Sequence, residues 1–215
     1  MNYTEAPSDL QGLKLDMVQV SSSSGSRKDA QHNRARILEV AGVAFSSDGV
    51  EVSMDAIAKL AGVGPGTLYR HFPSKDALLA SLLGLHYESL DRRLAEIEGQ
   101  KGNACRALEL WIEALGDWMR AYEGLPEPLK AACQNESPLT PTCRDVIHTT
   151  ERILKAAQDE GFAQPSITGR DIFLGALAIA WADTTPTAAE GTGKVLQGVL
   201  RDGWLERRPR RGKEP

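Results

Sequence analysis

Apolar positions along this chain recur at helical rather than strand spacing. From about Asp29 to Asp48, Ile37, Leu38, Ala41, Ala44 and Phe45 fall on one face of a helix, which Asp48-Gly49 brings to an end. A short amphipathic segment follows. Ser53 is a suitable N-cap, Asp55 sits near the positive end, Ile57, Leu60 and Ala61 make the stripe, and Gly62 terminates it. In G-P-G-T-L-Y-R-H-F-P-S-K, residues 64–75, Leu68 and Phe72 stand four apart and share a face. Pro73 then breaks the helix and Ser74 caps a long one reaching about Glu98. Beyond the turn at 99–102, the pattern predicts helices over about 103–122, 127–134, 142–160, 168–183 and 188–205. Strand signals are weak, with few alternating β-branched runs and no hairpin turns between them. The expectation is an all-α chain: a small three-helix unit at 27–76 and a larger helical bundle at 77–206. Residues 1–26, ending in S-S-S-S-G-S, read as a disordered extension, and the basic run at 207–215 as a disordered tail.

Composition changes this picture in one respect. The net charge of −4 gives no general attraction to nucleic acid, but the charge is unevenly spread. Residues 27–75 hold seven basic and five acidic side chains, whereas 76–205 hold twelve basic and nineteen acidic. A mildly basic head on an acidic body points to a polyanion at the head. Three cysteines without paired spacing suit a reducing cytoplasm, and no apolar run is long enough for a membrane span. The first residues lack a secretory pattern, so the expected location is cytoplasmic, with no membrane partner.

Segments 53–61 and 65–72, joined through Gly62 and Gly64, have the dimensions of a helix-turn-helix. Pro65 suits the first helical turn, where its missing N–H has no partner to lose. With Leu68 and Phe72 turned inward, Gly66, Thr67, Tyr69, Arg70 and His71 face the other side. Gly66 lets a backbone come close, Thr67 and Tyr69 bring hydroxyls, and His71 and Lys75 bring N–H donors for phosphate. Tyr69 also fits a half-buried core position, and Arg70 divides evenly between solvated surface and DNA contact. Arg27, Lys28, Arg34 and Arg36 fit either a solvated helix start or contact with phosphate or the minor groove.

The run V-S-M-D-A-I-A-K-L-A-G-V-G-P-G-T-L-Y-R-H-F-P-S-K-D-A-L-L, residues 52–79, resembles the DNA-binding signature of the TetR family of bacterial transcriptional regulators. The resemblance covers about residues 29–79. It implies a homodimer of nine or ten helices per subunit, with a divergent bundle that binds a small-molecule effector. It also implies roles: Ser53 on phosphate, Pro65, Gly66 and Thr67 near bases, Tyr69 and His71 on the backbone, and Lys75 on phosphate. The resulting expectation is a ligand-responsive regulator, a repressor released from a pseudo-palindromic double-stranded operator. The alternative is an enzyme or small-molecule carrier whose bundle acts on the ligand and whose helix-turn-helix is vestigial.

The bundle offers further candidates. Leu82 and His86, with Trp111, Leu115, Trp118 and Met119, could wall an effector pocket or simply form core. Leu174, Gly175, Ala178 and Trp181, with Val195, Leu196 and Val199, could form a two-fold four-helix interface or pack within the chain. Cys133, Cys143 and His148 match no zinc spacing, so neither a metal nor another cofactor is expected. No hydrolase, P-loop or dinucleotide motif occurs, and the chain does not read as an enzyme.

Overall fold

The computed structural model describes residues 23–100, 102–184 and 189–206. Among them are nine helices: α1 (Ser23–Asp48), α2 (Met54–Leu60), α3 (Pro65–His71), α4 (Lys75–Gly99), α5 (Ala104–Met119), α6 (Pro126–Gln134), α7 (Thr140–Asp159), α8 (Gly169–Asp183) and α9 (Thr192–Trp204). The only extended pairing among the described residues is an isolated bridge between Ala163 and Leu205. The fold is all-α. No described helix is long and apolar enough to cross a membrane. The expected tail at 207–215 and most of the expected extension at 1–26 lie outside the described residues. Ser23–Ser26 do not, and they correct the helix start: α1 begins at Ser23, ahead of Asp29. The weak helix propensity of serine and glycine is tolerated at this end, where a long helix continues the chain.

Four of the described helices, α2, α4, α5 and α8, start where a side chain takes up a free N–H group. Ser53 Oγ accepts from Ala56 N at 3.1 Å and Ser74 Oγ from Ala77 N at 3.2 Å, both as the sequence suggests. Asn103 does the same for α5, accepting from Arg106 N at 2.9 Å. Thr168 and Asp171 form a reciprocal capping box at α8. The Thr168 hydroxyl and N–H both donate to the Asp171 carboxylate, which lowers its pKa.

In the head, Ile37, Ala41 and Phe45 of α1 meet Ile57 of α2, Leu68 of α3 and Phe72, all with at most 1% exposure. Leu78, Leu79, Leu82 and Leu83 continue this core into α4, which runs on into the bundle. A second joint ties the two parts together. The turn after α1 meets the turn after α5, where Val50 N donates to Glu123 O at 2.8 Å and Lys75 Nζ donates to Val50 O at 2.7 Å. Gly49 and Gly124 take φ of 75° and 77°, and each lies against the opposite turn. A Cβ on Gly124 would come within 2.9 Å of Val50 Cγ2. The left-handed backbone and the lack of space both require glycine there.

α8 is the centre of the bundle, packed on α5, α6, α7 and α9. Ile172, Phe173, Ala176, Leu177, Ile179 and Ala180 are buried on it. Trp204 ends α9 at 1% exposure, and the chain after it is stitched to the α7–α8 connection by Gln164 N to Trp204 O and Glu206 N to Phe162 O.

Candidate functional site

The helix-turn-helix forms from its local sequence. Ala61 is the C-cap of α2, and Gly62 at φ 62° reverses the chain. Arg36 supports this reversal from α1, its guanidinium donating to Gly62 O at 3.2 Å. That assigns Arg36 to the scaffold rather than to an outward phosphate contact. Leu68 and Phe72 are anchored in the core at 0% and 1% exposure.

The opposite face of α3 is open. Pro65, Gly66 and Arg70 are exposed, Tyr69 is 45% exposed, and Thr67 and His71 are half-buried. Tyr69 is not among the side chains packed on the core. Nothing lies within 4 Å of the place a Cβ on Gly66 would occupy, as is also the case at Gly84 of α4 and Gly198 of α9. No neighbour inside the chain requires glycine in this helix, where it costs about 0.5–1 kcal/mol relative to alanine. Ser53 is exposed at the start of α2, and its hydroxyl hydrogen remains available to donate while its oxygen caps.

Two cations expected at DNA are held by the protein. Lys75 is half-buried, with one ammonium hydrogen on Val50 O; its other two N–H donors are not needed for that bond. Arg34 lies with its guanidinium 5.2 Å from the Phe72 ring centre and donates to Ser81 Oγ at 3.3 Å. The side chain therefore lies over the α3–α4 junction. Lys28 is exposed, whereas the side chain of Arg27 lies outside the described residues.

The proposed aromatic wall is mostly core. Leu82, Trp111, Leu115 and Met119 are 4%, 1%, 0% and 0% exposed. Trp111 Nε1 donates to Thr150 Oγ1 at 2.9 Å, and Thr150 donates on to Val146 O at 2.8 Å. All four belong to the core cluster, with Trp111 held against α7, in keeping with the core alternative. His86 and Trp118 differ from them. Both line a cavity of about 260 Å³ between α4 and α5, with Ser89, Arg93 and Asp117. Trp118 Nε1 is buried without a hydrogen-bond partner. On its other side His86 is 2.8 Å from the Tyr122 hydroxyl, with the two rings edge to face. Burial raises the Tyr122 phenol pKa. This pair also lines a wider open groove of about 830 Å³ between α1 and α4, bordered by Leu38, Val43 and Leu85.

α8 and α9 expose an apolar face. Leu174 and Trp181 are 38% and 50% exposed, and Val195 and Val199 are 67% and 63%. Ala178 is exposed between the α8 pair, while Leu196 is half-buried. Gly175 belongs elsewhere, because a Cβ on it would lie 2.7 Å from Leu200 Cδ1. Its small size admits α9 of the same chain, which corrects its assignment to an intersubunit approach. Among the described residues no group of three or more His, Cys, Asp or Glu side chains could hold a metal ion.

Comparison with known proteins agrees with this architecture. Residues 37–82 match the family described as bacterial regulatory proteins, tetR family. Residues 103–204 match the C-terminal domain of SbtR-like transcriptional regulators. An HTH-type transcriptional regulator of Staphylococcus aureus is 57% identical over 53 residues, 24% of this chain and 29% of that protein. The match therefore spans less than a third of the length of such relatives. The crystal structure of a TetR transcriptional regulator from Streptomyces coelicolor is 25% identical, with a TM-score of 0.54 over 81% of this chain and 99% of that one. A TetR-family regulator from Agrobacterium tumefaciens has the same fold at 15% identity, with a TM-score of 0.59 over 82% of this chain and 99% of that one. Two family matches, over residues 37–82 and 103–204, and a fold shared along nearly the whole length of solved members, place the chain in the TetR family of bacterial transcriptional regulators.

Proposed function

We propose that this chain is a ligand-responsive, dimeric DNA-binding repressor in which residues 27–76 read DNA and residues 77–206 dimerise and bind an effector. The observation that carries the reading is the open face of α3, where Pro65, Gly66, Tyr69 and Arg70 are exposed opposite the anchored Leu68 and Phe72. Pro65, Gly66 and Thr67 approach base edges in the major groove; Tyr69, Arg70, His71 and Ser53 contact the backbone. Lys75 adds a phosphate contact through the ammonium hydrogens that Val50 leaves unused, and Arg34 contributes only from the margin.

A second copy of this chain covers the face made by Leu174, Ala178, Trp181, Val195, Leu196 and Val199. The two heads then meet successive major grooves of a pseudo-palindromic operator. The effector is a small molecule with a hydrogen-bond acceptor for Trp118 Nε1, held beside His86 between α4 and α5. Because α4 begins at the head and lines that cavity, an effector that favours one tilt of α4 changes the spacing of the heads. DNA must then weaken effector binding by the same factor.

The test is binding of the protein to its own upstream region across a salt series. Specific binding with a steep salt slope is expected. Thr67→Ala changes the preference among sites, whereas His71→Ala weakens all sequences alike. Lys75→Ala is a poorer probe, since it also removes the brace on Val50. Binding that neither Thr67→Ala nor His71→Ala alters would refute the placement of α3 in the groove.

A further inference from the structure

Two cysteines that the DNA-binding reading does not use come together in the fold. Cys133 lies in the last turns of α6 and Cys143 in the first turn of α7; both are free thiols, and both line one cavity of about 340 Å³. The chain between them folds back on itself. Thr140 Oγ1 lies 3.3 Å from both Ala132 O and Asn135 O, and Ser137 N donates to Thr140 Oγ1 at 2.9 Å. This clasp sets the residue before Cys133 against the residue one turn before Cys143. Cys143 is 3% exposed, while Cys133 is half-buried and reachable from the cavity. Cys105 is on α5 and shares no described cavity with either.

We infer that Cys133 and Cys143 are an oxidisable dithiol that closes to an intrachain disulfide in the native fold, clamping α6 to α7. The oxidant is a hydroperoxide. The Cys133 thiolate attacks one peroxide oxygen, the O–O bond breaks, and water or an alcohol leaves with the thiol proton. The Cys133 sulfenic acid remains. Cys143 sulfur then attacks Cys133 sulfur: the S–S bond forms, the S–O bond breaks, and hydroxide takes the Cys143 proton and leaves as water. Two thiols lose two protons and two electrons, and the peroxide takes up both.

The surroundings set the pace. Burial raises both thiols, Cys143 to about 12, and the two act on one another as hydrogen-bond partners. Arg170 of α8, which donates to Cys133 O at 3.1 Å, pulls Cys133 back towards the thiolate. Arg144 of α7 is the other cation at the cavity, 3.5 Å from Glu136, the one acidic side chain there. Closure is therefore slow at neutral pH and accelerates with alkali, because the thiolate is the nucleophile.

The experiment exposes the full chain to hydrogen peroxide between pH 7 and pH 9, followed by intact mass and peptide mapping. A two-hydrogen mass loss is expected, with a Cys133–Cys143 link that a dithiol reductant reverses and that Cys105→Ser leaves intact. The rate should rise roughly tenfold per pH unit. Cys143→Ser should stop at a sulfenic acid on Cys133 that dimedone traps. Closing a loop of about eleven residues should raise the melting temperature by roughly 5 °C. Three results overturn the proposal: a link through Cys105 or between chains, over-oxidation of Cys133 without a link, or a bridged protein that melts below the reduced one.

Discussion

Replacing Gly66 by alanine should move stability and DNA affinity in opposite directions. In the free protein a methyl group at residue 66 meets nothing within 4 Å, so it adds no clash. It removes backbone freedom from the unfolded chain and suits the helix better, which is worth about 0.5 kcal/mol near a helix start. For a chain of this length, that is roughly 1–2 °C in melting temperature. On DNA the same methyl occupies the gap through which the backbone of α3 would approach a base edge. Forcing a carbon into a close-packed contact costs about 1–3 kcal/mol, or roughly 5- to 150-fold in affinity. Thermal denaturation and fluorescence anisotropy with a labelled operator, on the same preparation at fixed salt, give both numbers. An alanine variant that binds as tightly as the parent would refute the close approach of α3. A variant that melts lower would refute the vacancy itself.

The buried bond between Trp111 and Thr150 gives a stability test. Thr150→Val orphans the indole N–H and should cost about 1–3 kcal/mol, lowering the melting temperature by roughly 2–10 °C. Trp118→Phe should have the opposite character. It deletes a donor that has no partner, so stability changes by less than about 1 kcal/mol, while effector affinity measured by calorimetry falls about tenfold or more. Val199→Asp places a charge on the exposed face of α9 and should shift the sedimentation profile from dimer towards monomer. An unchanged profile would remove that face from the interface. Asp171→Ala removes the carboxylate half of the α8 capping box and should cost about 1 kcal/mol at pH 7. The folded carboxyl has its pKa lowered, so its contribution is complete above the unfolded aspartate value near 3.9 and disappears as pH falls through the folded value. The gap between variant and parent in chemical denaturation should therefore close in acid.

Features that depend on neighbours in sequence were legible before the structure. The caps at Ser53 and Ser74, the stop at Gly49 and the inward pair Leu68 and Phe72 each follow from a few adjacent residues and recur in the fold. Features that depend on distant partners were not. Trp111 reads equally as pocket wall or core until Thr150, 39 residues away, supplies its acceptor. The small residue Gly175 suits any close approach, and only the position of Leu200 shows which helix makes it. Lys75 is a suitable phosphate ligand by type and place, yet the carbonyl it meets belongs to a turn 25 residues earlier. The spacing of Cys133 and Cys143 argues against zinc but does not show that a clasp at Thr140 folds them together.

The joint at Val50 bears on how such proteins can be recombined. A sequence-based boundary would cut a portable head at about residue 76, just inside α4. That cut leaves Val50 N without Glu123 O and leaves Gly49 and Gly124 shaped for partners that are gone. The transferable unit is discontinuous: the head together with residues 122–125 of the turn after α5. A chimera that carries this turn with its own head should keep its operator response, whereas one joined only through α4 should bind DNA but respond weakly to effector.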